Sequence, residues 1–125
     1  MSAKTVLVIE DNEMNLKLVR ALLTLGKHHI LEARNAETGI ELALQNKPHL
    51  ILMDIQLPGM DGLEATRRIK AHSEIRHIPV VALTSYAMEG DEKKARQVGC
   101  AGYISKPIDT RQFLNILSHY LERQE

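Results

Sequence analysis

The sequence has very few aromatic residues: they make up 3% of the 125 positions, and tryptophan is absent. Proteins that stack bases need aromatic platforms, so base stacking is not expected here. An excess of charge of one sign is also missing, because 16 Lys and Arg residues balance 16 Asp and Glu residues. The net charge therefore gives no attraction to nucleic acid or to an anionic membrane, and neither is expected as a partner.

Cysteine and long apolar runs are scarce as well. Cys100 is the single cysteine, so it cannot form an internal disulfide. The chain has no basic-then-apolar leader and no apolar run of transmembrane length. We therefore expect a cytoplasmic protein, in which Cys100 is a small buried residue rather than a redox sensor.

What the sequence does contain is a regular alternation of apolar strand segments and amphipathic helical segments. With 44% hydrophobic residues, the chain can form one domain whose sheet is covered by helices on both sides. The alternation predicts an α/β fold with a doubly wound, five-stranded parallel sheet and five helices. Residues 1–125 are expected to form this single domain, with no output domain. Strands are predicted at 5–9, 29–33, 50–54, 79–84 and 103–105, and helices at 13–25, 36–45, 63–71, 91–98 and after Asp109.

The ends of the predicted helices carry local signals. Asn12, Asn35 and Asp109 precede helical segments as N-caps, and Gly26 is expected to end the first helix in the left-handed conformation. Between Ser85 and Gly90 the pattern fits either a loop or the start of a helix. The side of the last helix that faces the sheet is predicted to contain Phe113, Ile116, Leu117 and Tyr120.

One strand is apolar without interruption and ends in a carboxylate. The run from Leu50 to Met53 is typical of a central parallel strand, and Asp54 follows it directly. Pro58-Gly59 and Asp61-Gly62 then break the chain, which places Asp54 at the mouth of a loop. Open α/β sheets bind ligands at this edge, although an aspartate that only caps or turns the chain is the alternative.

Polar side chains end the other strands too. Glu10, Asp11, Asp54, Thr84 and Lys106 all fall at carboxyl ends of strands, so the fold should gather them on one edge. Three close carboxylates repel unless a hard divalent cation neutralises them, and oxygen ligands favour Mg²⁺ or Mn²⁺ over zinc. Such a site suits phosphoryl transfer, with Asp54 attacking in line and Lys106 and Thr84 contacting phosphoryl oxygens.

At these residues the chain resembles the receiver domain of two-component response regulators, over essentially its whole length. The motifs that carry the resemblance are Val-Leu-Val-Ile-Glu-Asp-Asn, Leu-Met-Asp-Ile-Gln-Leu-Pro-Gly-Met-Asp-Gly, Pro-Val-Val-Ala-Leu-Thr and Gly-Tyr-Ile-Ser-Lys-Pro. The resemblance implies the strand order 2-1-3-4-5 and a single-domain response regulator. Such a protein accepts a phosphoryl group on Asp54 from a histidine kinase or a histidine phosphotransfer protein. It is not an enzyme for outside substrates, because it catalyses only its own phosphorylation and dephosphorylation.

The resemblance also implies roles for the residues of the metal site. Glu10, Asp11 and Asp54 would bind Mg²⁺, or Mn²⁺ in its place, together with the main-chain carbonyl of Gln56. Glu10 stands where many family members carry Asp, and metal binding is expected to be retained. By the same resemblance, the Lys106-Pro107 bond is cis.

Signalling is expected to involve two different surfaces. Thr84 and Tyr103 correspond to the family's switch pair, which would pass the signal to a downstream protein partner. A rival hypothesis is that the protein only relays phosphate between histidine-bearing proteins, which would dock at the mouth of the site. For Met14 and Leu18, packing against a neighbouring helix is the alternative to a docking role. The docking residues are predicted to be Asn12, Met14, Asn15 and Leu18.

Three further features of the sequence limit the alternatives. Ala101-Gly102 replaces an acidic pair that one branch of the family uses to dimerise, so a monomer or a weak dimer is expected. A phosphatase of the haloacid dehalogenase type would need a second acid where Gln56 stands. A flavin-binding protein of this topology would need a hydroxyl- and glycine-rich loop where Glu10-Asp11 would repel phosphate.

Overall fold

In the computed structural model the described residues are 4–84 and 89–122, with side chains in the helix at 89–97 described from Glu92 onward. The segment predicted as a loop or helix start, Ser85 to Gly90, lies partly outside these residues. Within them, the predicted alternation of strands and helices is confirmed. The elements are β1 (Thr5–Ile9), α1 (Glu13–Leu25), β2 (His29–Ala33), α2 (Ala36–Asn46), β3 (Leu50–Asp54), α3 (Gly62–Ala71), β4 (Val80–Thr84), α4 (Glu89–Gln97), β5 (Gly102–Ser105) and α5 (Phe113–Glu122).

The five strands form one parallel sheet in the order β2-β1-β3-β4-β5, which confirms the predicted topology. β3 lies at the centre of the sheet, and all five of its residues are buried. The register pairs Met53 with Ile9 on one side and Asp54 with Leu83 on the other. Because the strands are parallel and end at similar heights, the residues that follow them meet at one edge.

Successive strand residues point to opposite faces of the sheet, so the core has two halves. On one face, Leu7 and Ile51 pack with buried residues of α2, α3 and α4. On the other face, Val6 and Leu52 pack with buried residues of α1 and α5. Cys100 is buried in the first half, as expected, with its Sγ 3.9 Å from the Thr66 hydroxyl.

The end of α1 differs from its prediction. Gly26 is not left-handed, because its φ is −78°, and the left-handed residue is instead Lys27 with φ +62°. Gly26 continues the helical hydrogen bonds by donating from its N–H to the carbonyl of Leu22. A Cβ at Gly26 would lie 2.8 Å from a methyl carbon of Leu114, so a close approach to α5 accounts for this glycine.

The prediction for the inner face of α5 is wrong at one position. Ile116 is 36% exposed, and the buried residues of the helix are Phe113, Leu117 and Leu121. Tyr120 is half-buried, and a Cβ at Gly102 would collide with its hydroxyl. Tyr120 therefore lies over β5, which turns the helix so that Ile116 faces outward. Asp109 caps the turn before α5, where its Oδ1 accepts a hydrogen bond from the N–H of Arg111.

Candidate functional site

The structure brings the predicted site residues together at the carboxyl edge of the sheet. Glu10 directly follows β1, Asp54 ends β3, Thr84 ends β4, and Lys106 directly follows β5. Glu10, Asp54 and Thr84 are buried, whereas Asp11 is exposed at the opening. Burial of three polar residues beside one another is costly unless they are paired, so their contacts determine what the site can do.

Asp54 is held from two sides. Its Oδ1 accepts a hydrogen bond of 2.9 Å from the N–H of Gln56, and its Oδ2 lies 3.4 Å from the ammonium of Lys106. Asp54 is only 3% exposed, because it ends the central strand. The Gln56 main chain thus adjoins Asp54, while its side chain is exposed. A metal-binding role for the Gln56 carbonyl stays a prediction.

The loop after Asp54 folds back onto the strand that carries it. Gly62 donates a hydrogen bond of 3.0 Å to the carbonyl of Ile55, and Asp61 caps α3 by accepting from the N–H of Glu64 at 2.8 Å. A Cβ at Gly62 would collide with the carbonyl oxygen of Asp54 and lie 2.7 Å from the Cα of Ile55. Sequence reasoning identified Asp61-Gly62 only as a chain break. The missed signal was an Asp directly before a helical segment, which is typical of an N-cap.

Glu10 is the most buried acid of the site, with no exposed surface. Its Oε2 accepts a hydrogen bond of 3.2 Å from the N–H of Asn12, and its Oε1 lies 2.8 Å from the Nζ of Lys106. The approach of Lys106 is that of an ion pair, yet Oε1 receives no well-directed hydrogen bond from any residue that the structure describes. Burial, followed by the neighbouring carboxyl of Asp54, raises the pKa of Glu10 from 4.5 to about 7 against the opposing effect of Lys106.

Lys106 connects the two acids. Its side chain is 10% exposed, and its main-chain N–H donates a hydrogen bond of 2.7 Å to the carbonyl of Thr84. The peptide bond to Pro107 is cis, as the resemblance implied. The main chain of Lys106 is therefore hydrogen-bonded to the end of β4, while its ammonium lies between Glu10 and Asp54.

Three carboxylates at this edge could hold a metal ion. Glu10, Asp11 and Asp54 each offer an oxygen, and these oxygens lie within 4.8 Å of one another. The buried Oε1 of Glu10 has no well-directed hydrogen-bond donor among the described residues, so it can bind a cation or accept a hydrogen bond from a water on that cation. Only hard oxygen donors converge in this cluster, so the site suits a divalent cation of the magnesium type.

The predicted docking residues lie at the start of α1. Asn12 is the N-cap, and its Oδ1 accepts a hydrogen bond of 3.0 Å from the N–H of Asn15. Met14 is 80% exposed, so the alternative that it packs against a neighbouring helix is wrong. Leu18 is partly buried and packs against the half of the core that includes α1 and α5, and its docking role stays a prediction. Glu13 forms an ion pair with Arg34 beside this surface, a contact that the sequence did not predict.

Tyr103 lies on β5, in register with Ala82 of β4. It is half-buried and packs against the half of the core that includes α2, α3 and α4. It also lines a cavity of about 220 Å³ together with Pro107 and Phe113. A rearrangement of Tyr103 on phosphorylation stays a prediction.

The fold and the acidic edge together define a receiver domain. The family model described as the response regulator receiver domain matches residues 6–118, and the chain belongs to this family. The chain is 48% identical over 118 residues to the polar-differentiation response regulator DivK of Brucella anthropi, covering 94% of this chain and 96% of that protein. It is 47% identical over 118 residues to the protein of the same name from Brucella melitensis, with the same coverage. The protein is thus a response regulator that accepts a phosphoryl group, as the sequence motifs implied.

Solved structures agree with this assignment. The receiver domain of a sensor histidine kinase from Pseudomonas aeruginosa, with a magnesium ion coordinated in its active site cleft, superposes with a TM-score of 0.89. The two are 30% identical, and the match covers 97% of this chain and 99% of that one. A response regulator structure from Chloroflexus aurantiacus has a TM-score of 0.93 at 20% identity, covering 98% of this chain and all of that one, and supports the fold. Among the described helices, none has the length and apolar character needed to cross a membrane.

Proposed function

We propose that Asp54 is the residue that accepts the phosphoryl group. The observation that carries this proposal is the placement of its carboxylate at the end of the buried central strand, 3.4 Å from the Lys106 ammonium and within 4.8 Å of two further acids. Its Oδ1 is oriented by the N–H of Gln56. A carboxylate fixed in this way, with a cation beside it, is suited to attack an electrophile that carries negative charge.

Mg²⁺ is the cation that we propose for the site, and Mn²⁺ would substitute for it. Glu10, Asp11, Asp54 and the main-chain carbonyl of Gln56 would hold it, because hard oxygen donors favour these ions. When bound, it would neutralise the charge of the acids and of the incoming phosphoryl oxygens. The magnesium in the related histidine kinase receiver supports this choice.

The proposed reaction needs only groups that this chain and its donor provide. One oxygen of Asp54 forms a bond to phosphorus while the bond between phosphorus and the donor histidine nitrogen breaks. The imidazole departs with the electron pair of that bond and takes up a proton. Lys106 offsets the charge on the phosphoryl oxygens, and Thr84 donates a hydrogen bond to one of them. Water later hydrolyses the acyl phosphate, so the protein catalyses only its own phosphorylation and dephosphorylation.

Receiver domains interact with histidine kinases and downstream partners, and we propose two surfaces for these contacts. A histidine kinase or a histidine phosphotransfer protein would dock at the mouth formed by Asn12, Met14, Asn15 and Leu18. The large exposed fraction of Met14, 80%, supports this site. A downstream protein would bind the face around Tyr103, unless the chain acts only as a relay.

Residues 1–125 would act as one receiver domain, a proposal supported by the 96% coverage of the DivK relative. We propose that the protein is a monomer or a weak dimer. The cytoplasm is the proposed compartment, on the basis of its single buried thiol, Cys100, and of its family.

Incubation with acetyl phosphate and MgCl₂ tests the acceptor. The parent protein should gain one phosphoryl group on Asp54, and Asp54→Asn should gain none. An acyl phosphate should be removed by hydroxylamine and by base. A base-stable modification, or one located on Ser105, would refute the proposed chemistry.

A further inference from the structure

Lys106 is shared unequally between two carboxylates. Its Nζ lies 2.8 Å from Glu10 Oε1 but 3.4 Å from Asp54 Oδ2. The first distance is that of a close ion pair, whereas the second is too long for a strong charge-assisted hydrogen bond. In this arrangement the ammonium is therefore committed to Glu10 more than to the proposed acceptor.

Glu10 can reach Lys106 because of its length. Its backbone is fixed at the end of β1, where its N–H donates a hydrogen bond of 3.0 Å to the carbonyl of Ala33. Its Oε2 is fixed in turn by the N–H of Asn12, so Oε1 is left facing the ammonium. An aspartate at this position would be roughly 1.5 Å shorter, since it lacks one carbon–carbon bond. With its backbone fixed, it could not make the same contact.

We propose that Glu10 is a positioning residue that holds Lys106 closer to itself than to Asp54 before a cation binds, and that releases it when a cation binds among the acids. The proposal rests on the function proposed above for Asp54 and for the metal. A cation that contacts the acids competes with the ammonium for the charge of Glu10 and repels it. Lys106 is then free to approach Asp54 and the phosphoryl group that Asp54 carries.

The contact between Glu10 and Lys106 would thus couple metal binding to the position of Lys106. Because coupling between two equilibria is reciprocal, the Glu10–Lys106 contact must weaken metal binding as much as metal binding weakens the contact. Removal of the ammonium should therefore strengthen metal binding. The gain should be larger when Glu10 is present than when a shorter acid replaces it.

The position of Lys106 can be followed by NMR in protein whose lysines carry ¹³C at Cε and ¹⁵N at Nζ, with Lys106→Met used to assign the signal. At pH 8, addition of MgCl₂ to the parent should shift the Lys106 signal. In metal-free Glu10→Asp, the signal should already lie close to its magnesium-bound position. Equal metal-free signals and equal responses in parent and variant would overturn the proposal. If Glu10→Asp does not fold, Glu10→Gln serves in its place, because it keeps the length and removes the charge.

A second measurement uses the magnesium affinities of the parent, Glu10→Asp, Lys106→Met and the double variant. Lys106→Met should strengthen magnesium binding roughly three- to tenfold more in the parent than in Glu10→Asp, which is a usual coupling for residues in contact. Equal gains in the two backgrounds would show that Glu10 does not hold Lys106. Phosphorylation of Asp54 by acetyl phosphate is scored separately. Its absence in the parent would refute the proposed function without bearing on the coupling.

Discussion

Replacement of Glu10 by Gln should change how the stability of the metal-free protein depends on pH. Burial and the neighbouring Asp54 raise the pKa of Glu10 from 4.5 to about 7 in the folded state. The folded protein then binds this proton more tightly than the unfolded chain does. The resulting stabilisation is complete below pH 4.5 and is lost as the pH rises through 7.

The size of this effect follows from the change in pKa. One pKa unit corresponds to about 1.4 kcal/mol, so a rise from 4.5 to about 7 corresponds to about 3 to 4 kcal/mol. Gln has a similar size and no proton to lose in this range. Between pH 4.5 and pH 8 the parent should therefore lose about 3 kcal/mol more stability than Glu10→Gln. Burial lowers the pKa of His28, which acts in the opposite direction, but this contribution is common to both proteins and cancels.

Urea unfolding in the presence of a chelator measures these free energies at each pH. The comparison uses the difference between parent and Glu10→Gln, because other groups titrate over the same range. Saturating MgCl₂ at pH 8 should restore stability to the parent, since a ligand that binds only the folded state stabilises it. Parallel pH profiles for the two metal-free proteins would refute the raised pKa of Glu10 and the burial argument behind it.

Three further predictions concern the surroundings of the acceptor. Gly62→Ala should destabilise the fold by about 1 to 3 kcal/mol and weaken magnesium binding, because its Cβ meets buried main chain. Gly59→Ala is the control, since it has open space and φ +73°, and should cost about 1 to 2 kcal/mol without affecting magnesium. Asp11→Asn should weaken magnesium binding in a titration and slow phosphorylation by acetyl phosphate. Thr84→Ala and Tyr103→Ala should still be phosphorylated on Asp54, while their phosphate-dependent partner binding falls ten- to a hundredfold, on the order of 1.5 to 3 kcal/mol. Unchanged partner binding in both variants would favour the hypothesis that the protein only relays phosphate.

The sequence predicted the fold and the meeting of the polar residues at one edge of the sheet, because both depend on local patterns. The uninterrupted apolar run before Asp54 indicated a central strand, and parallel strands necessarily bring their carboxyl ends to one edge. The inner face of α5 could not be predicted in this way, because Ile116 lies three positions after Phe113 and Leu121 lies four positions after Leu117, and both are helical spacings. The contact between Tyr120 and Gly102 selects between them, and no local pattern encodes a contact between residues 18 positions apart.

The same limit explains why the pairing within the site could not be predicted. Sequence reasoning placed Glu10 among the metal ligands and treated Lys106 as a partner of the phosphoryl group. It gave no distance between them, because that distance depends on how the N–H groups of Asn12 and Gln56 orient the two carboxylates. Those N–H groups orient one oxygen of each acid, and the ammonium lies between the remaining two at 2.8 and 3.4 Å. Since main-chain donors fix both acids, a cation can be accommodated mainly by moving Lys106, the one member of the trio with a long and flexible side chain. In the coupling that we propose, the lysine is therefore the charge that moves, while the two acids stay in place.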